Sequence, residues 1–243
     1  MIIEKVKLPG HYEIERELSE QLSGRAGHQR CVVGNDELLL VLHEVPKQGI
    51  PERDAIFFWR RRDGKWFQPA GPGLDELNGL LDRYTKAIDR NEEILETTES
   101  TAQVFGILRH AGPLARSSRN LVQALENVLV QEPDDGQIRM FRDRARELER
   151  AAELLHSDAQ GTLTYWQAEA SEDHAKASDR LGTILLKLNL VTGFFLPLVA
   201  FGSLFGMNLN LPHFVADMFW WILLGALMVG GLLLWFISKD HRK

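Results

Sequence analysis

The chain has 243 residues, of which 44% are hydrophobic and 26% charged, with a net charge of −6 and a mean hydropathy of −0.18. An acidic balance excludes a nucleic-acid binder built on clustered Lys and Arg, and a lone cysteine, Cys31, excludes an internal disulfide and fits a reducing compartment. The mean hides a segregation: residues 184–243 carry a net +2, so residues 1–183 carry −8, an acidic body attached to an apolar end.

The start, MIIEKVKLPGHYEIERE, places charges where a signal peptide needs an apolar core, which predicts a cytoplasmic N-terminus. Residues 1–72 read as a small α/β domain. A helical stretch around Tyr12–Leu22 precedes strands at Arg30–Val33, Glu37–Val45 and Ala55–Trp59, and Asp63-Gly64 before Trp66-Phe67 signals a hairpin. Gly71-Pro72-Gly73 marks the boundary.

From Leu74 the period becomes helical, and residues 73–136 read as a hairpin of two helices. The first is expected to carry a stripe from Leu74, Leu77, Leu81, Tyr84 and Ile88 through Leu95 to Phe105 and Leu108, and to end at Gly112-Pro113. The second, Leu114 to Val130, is expected to bury Leu121, Val122, Leu125, Val128 and Leu129. Pro133-Asp134-Asp135-Gly136 breaks the pattern, with aspartates placed to cap a third helix.

That third helix carries one long stripe. Ile138, Phe141, Ala145, Leu148, Ala152, Leu155 and Ala159 recur at steps of three and four, and Thr162, Trp166, Ala170, Ala177, Leu181, Ile184 and Leu188 extend the seam into an apolar run. No proline interrupts it before Pro197. A single helix from Ile138 to Phe205 would be about 100 Å long at 1.5 Å per residue. A seam of that length predicts partner helices and an oligomeric stalk over residues 137–183; packing on the chain's own two shorter helices accounts for only part of it.

Residues 184–206 and 218–237 are each long enough to cross roughly 30 Å of hydrocarbon. Trp220, Trp221 and Trp235 lie near the ends of the second run, where aromatic belts form. The connecting segment, 207–217, has no Lys or Arg, whereas the tail, 238–243, is basic. That charge bias predicts a multi-pass inner (plasma) membrane protein with both termini cytoplasmic and the loop outside. No zinc-type His or Cys spacing, phosphate-binding glycine loop or nucleophile elbow is present, so the reading is of a protein that is not an enzyme and needs no organic cofactor.

Phe195-Leu196-Pro197-Leu198, with Phe205-Gly206-Met207-Asn208 at the outer end of the first span, resembles the signature of the CorA-type magnesium and divalent-cation transporters. The resemblance extends over the long helix and over Leu108 to Leu129, and residues 1–70 resemble the family's cytoplasmic domain only in kind. It implies an α+β membrane protein that assembles as a homopentameric channel. A small cytoplasmic α/β domain and a helical hairpin would precede a very long stalk helix continuing into the first of two C-terminal transmembrane helices. It also implies a selectivity filter at Gly206, Met207 and Asn208 and a pore wall and gate that include Leu185, Leu188, Leu196, Pro197 and Gly202. Regulatory metal ligands would fall at Glu147, Asp173 and Asp179, lipid and other copies of the chain would be the partners, and Mg2+ the transported and regulatory ion. The chemistry of Asn208 supports this independently: Mg2+ dehydrates reluctantly, and a ring of amide oxygens accepts hydrogen bonds from its hydration shell without binding it too tightly to pass.

Two departures from the family pattern keep alternatives open. Gly182 stands where a polar residue is common at the inner mouth, and Leu211-Pro212-His213 replaces an acidic loop segment. Lys187, near the inner membrane edge, is expected to snorkel away from the pore. Gly225, Ala226, Gly230 and Gly231 crowd the second span with small residues suited to a close helix contact. The same architecture carrying zinc, cobalt or nickel is the first alternative, and a non-conducting sensor or scaffold the second.

Overall fold

The computed structural model describes Tyr12, Ile14, Leu18 and residues 28–50, 53–206 and 218–240. Most of the expected helix at Tyr12–Leu22 therefore lies outside the described residues, although Leu18 is helical. The chain divides into two compact units, Met1–Gln167 and Ala168–Lys243.

In the first unit, β1 (Arg30–Gly34), β2 (Glu37–His43), β3 (Ala55–Arg60), β4 (Trp66–Gln68) and β5 (Gly71–Pro72) form an antiparallel meander in sequence order. Asn35 and Asp36, both at positive φ (46° and 64°), make the two-residue β1–β2 turn, a geometry that follows the right-handed strand twist. The predicted β3–β4 hairpin forms with Gly64 at φ 79°, and Gly71-Pro72 adds a short last strand rather than only stopping the domain.

All seven residues of β2 are buried because both faces are covered. Leu38, Leu40 and Leu42, with Ile56 and Phe58 opposite, enter the large core shared with the helices. Leu39 and Val41 turn the other way, with Phe57 and Trp59, onto Tyr12 and Leu18. Side-chain alternation thus splits one apolar strand between two cores.

The helices are α1 (Asp75–Thr97), α2 (Thr101–Gln131), α3 (Gly136–Gly206) and α4 (Phe219–Asp240). The first break falls at Thr98–Ser100, not at Gly112-Pro113. Thr98 is extended (φ −83°, ψ 139°) and its hydroxyl accepts from the Ser100 N–H at 3.1 Å, local side-chain bonding that competes with the helix. Pro113 lies inside α2 without ending it. The loss of one backbone hydrogen bond is outweighed by burial of Ala111, Leu114 and Ala115 on either side. Because the helix restarts at Thr101, its buried stripe is Val104, Ile107 and Ala111, and Phe105 is half exposed. Leu121, Val122, Leu125 and Val128 are buried as expected, and Leu129 packs against the same core.

Asp135 begins α3: its Oδ1 accepts from the Ile138 N–H at 3.0 Å, while its Oδ2 accepts from Trp66 Nε1–H of β4 at 2.9 Å. Beside it Arg60 of β3 donates twice to Glu132, at 2.7 and 2.9 Å. The sheet therefore grips the segment that launches the long helix. Every predicted seam residue from Ile138 to Ala159 is buried in the large core. Arg119 pairs with Glu149 and Glu153, Arg146 with Glu126 and Arg144 with Asp82, tying α3 to α1 and α2.

A buried polar node joins α1, α2 and the sheet: Tyr84 Oη shares a hydrogen with Ser117 Oγ at 2.7 Å and donates to the His43 carbonyl at 3.3 Å. The His43 ring is buried with no partner at Nε2, and burial, with Arg53, Arg30 and His28 nearby, lowers its pKa to about 4. The unfolded chain takes up this proton near pH 6.5, whereas the folded chain resists until about pH 4. Stability is therefore full above pH 6.5 and falls as the pH drops toward 4. Denaturant unfolding of the full chain in detergent at pH 7 and pH 5 should show a loss of about 2 kcal/mol that His43→Asn removes. An identical loss in that variant would assign the pH dependence to other groups.

Candidate ion-conducting segment

The expected single helix is present as one 71-residue element, and its cover changes along its length. The chain's own helices bury the seam from Ile138 to Ala159, leave Thr162 and Trp166 half covered, and leave Ala170, Ala177, Leu181, Ile184 and Leu188 exposed. Among the described residues α3 is the one helix with a segment long and apolar enough to cross a bilayer, and none of that segment is buried.

The apolar part of α3 has two faces. Leu186, Leu190, Gly193, Phe194, Pro197 and Leu198 are half buried and recur at helical steps, and Phe194 meets Gly230 of α4. The opposite face carries Leu185, Leu188 and Leu196, exposed by 56%, 58% and 65%, together with Val199 and Gly202. Four of the five sequence-derived wall residues, Leu185, Leu188, Leu196 and Gly202, thus share one uncovered face, whereas Pro197 lies on the covered one. Lys187 is exposed at the edge of the covered face, at the angle of Phe194 and Leu198 around the helix, and Gly182 is exposed with open space around it. Gly206 is the last residue of α3 and is exposed; Met207, Asn208 and the loop to Asp217, including Leu211-Pro212-His213, lie outside the described residues.

The acids chosen as metal ligands stand apart. Glu147 is exposed on a groove of about 550 Å3 that it shares with Arg139, Met140, Asp143 and Arg144, so two guanidinium groups face the same space. Asp173 is exposed, 3.8 Å from Lys176, which also holds Glu172 at 2.7 Å. Asp179 is exposed, and its carbonyl accepts from the Thr183 hydroxyl at 3.0 Å. Among the described residues no three His, Cys, Asp or Glu side chains cluster to hold a metal within one copy of the chain.

The grip of Trp66 and Arg60 on the start of α3 is not legible in the sequence, since its partners are 69 and 72 residues apart. The contact of Gly230 with Phe194 is half visible there: the crowding of small residues marks a close helix contact, but not which glycine makes it or against what.

The first unit carries the sheet, and α3 continues beyond it into an apolar segment of bilayer length. The family model for the CorA-like Mg2+ transporter protein matches residues 73–242, and the chain belongs to that family, whose members carry divalent cations across membranes. Among solved structures, the full-length CmaX protein aligns over 96% of this chain and 83% of its own at 17% identity, with a TM-score of 0.53, and shares the fold. The complete CorA magnesium transporter from Methanocaldococcus jannaschii aligns over 90% of this chain and 80% of its own at 14% identity (TM-score 0.46). The cytoplasmic domain of ZntB from Vibrio parahaemolyticus RIMD 2210633 aligns over 65% and 80% at 16% identity (TM-score 0.40). No curated protein sequence matches the chain.

Proposed function

We propose that the chain is the subunit of a homopentameric channel that admits Mg2+ across the inner (plasma) membrane, with α3 lining the pore and α4 as the second span. The observation that carries the reading is the uncovered apolar face of Leu185, Leu188 and Leu196 on a helix that runs without a break from the soluble body to Gly206. An apolar face of that kind, repeated around an axis, makes a constriction that closes by dewetting. Asn208, five times repeated just beyond, would hold the hydrated ion through its amide oxygens. Both termini would be cytoplasmic. Entry follows the membrane potential, which at −100 mV inside favours a divalent ion by about 4.6 kcal/mol.

Within one chain the body buries α3 only as far as Ala159, which leaves the acids beyond it, Asp173 and Asp179, for contacts between copies. With Glu147 they are our proposed positions for cytoplasmic cation sensing, with ligands contributed by neighbouring subunits. The test is ion flux into proteoliposomes holding the purified full chain, with Mg2+ and Zn2+ competing and particle size measured in the same detergent. Potential-driven Mg2+ entry through a ring-shaped oligomer is expected. A particle that passes no divalent ion would leave a scaffold or sensor, and Zn2+ outcompeting Mg2+ would transfer the pore to a transition metal.

A further inference from the structure

We infer that Phe194 and Gly230 form a positioning pair that sets the rotation of α3 about its own axis, and with it the face presented to the ion path. The inference rests on the reading of α3 as the pore wall and adds the residue that orients it. Gly230 is buried, and a Cβ added there would lie 3.3 Å from Phe194 Cδ2, 3.3 Å from the Phe194 carbonyl oxygen and 3.7 Å from its Cα. Two of those three atoms are backbone, which no rotamer change can move aside. The neighbouring Gly231 is exposed with nothing within 4 Å, and Gly225 also meets nothing, so the close approach belongs to one glycine and not to small residues in general.

The contact is stiff on the α3 side as well. The Phe194 ring stands edge-on to that of the adjacent Phe195, with centroids 5.3 Å apart at 88°, which braces it. Pro197 lies on the same covered face and lacks the N–H that would bond the Gly193 carbonyl, so the weak point of the helix lies under α4 and away from the uncovered face. A side chain at 230 must then either push α4 off or turn α3. A turn carries Leu185, Leu188 and Leu196 away from the axis and brings a flanking residue, Lys187 or Asn189, toward it.

The experiment is oxidative cross-linking of the full chain in membranes, in a Cys31→Ser background with single cysteines at 187, 188 or 189, read alongside Mg2+ flux. Leu188→Cys should cross-link neighbouring copies. Gly230→Leu should lower that yield about tenfold and move the cross-link to Lys187→Cys or Asn189→Cys, because an overpacked contact of this kind shifts an equilibrium by roughly that factor. Gly231→Leu should leave both yield and position unchanged. A mere folding defect would abolish cross-links at all three positions and, like an unchanged Leu188→Cys yield in Gly230→Leu, would overturn the inference. If the parent chain cross-links and responds to Gly230→Leu but passes no ion, the pair stands and the channel reading fails.

Discussion

Asn208→Ala is expected to reduce Mg2+ uptake into proteoliposomes by at least about tenfold without changing the size of the particle. Each amide hydrogen bond to the hydration shell contributes only about 0.5–1.5 kcal/mol. Five-fold repetition removes several at once, and a tenfold change needs only about 1.4 kcal/mol. Asn208→Asp should behave differently: a ring of carboxylates attracts divalent ions more strongly and holds them longer, so apparent affinity should rise while maximal flux falls. Flux measured against Mg2+ concentration separates the two variants. Unchanged uptake in Asn208→Ala would remove Asn208 from the ion path and assign selection to other residues.

Asp135→Ala should destabilise the soluble body by about 2–4 kcal/mol, combining loss of a helix cap with an indole N–H left without an acceptor. Both consequences come from one carboxylate: Oδ1 holds the Ile138 N–H and Oδ2 holds the buried Trp66 side chain. Asp135→Asn keeps an acceptor for only one of the two donors and sets its amide NH2 against the other, so it should recover only part of the loss. The exposed neighbour makes the control, since Asp134→Ala should stay within about 0.5 kcal/mol of the parent. Denaturant unfolding of the full chain in detergent ranks the three variants. Equal stabilities for Asp135→Ala and Asp134→Ala would show that the sheet does not grip the start of α3.

Part of the architecture can be read from residue order because it rests on local rules. The run of alternating steps from Ile138, the absence of proline before Pro197 and the capping aspartate dictate one long helix, and Asp135 begins it as those rules require. The strands are legible for a similar reason, as is the Phe-Leu-Pro-Leu and Gly-Met-Asn signature that the family match over residues 73–242 supports. Local rules also misplace a boundary. Gly112-Pro113 carries the strongest breaking signal in the region, yet the buried neighbours Ala111, Leu114 and Ala115 hold α2 together through it, while the weaker hydroxyl-rich Thr98–Ser100 ends α1.

The sequence by itself therefore determined the strands, the helical periods, the unbroken run of α3 and the motif that carries the family resemblance, because spacing, caps and apolar runs act over a few residues. Only the tertiary structure decided where the seam of α3 stops being covered by its own chain, which acids stand alone, and which face of the apolar segment α4 covers. Those outcomes depend on side chains separated by tens of residues, such as Phe194 and Gly230 or Trp66 and Asp135, whose meeting no local rule specifies.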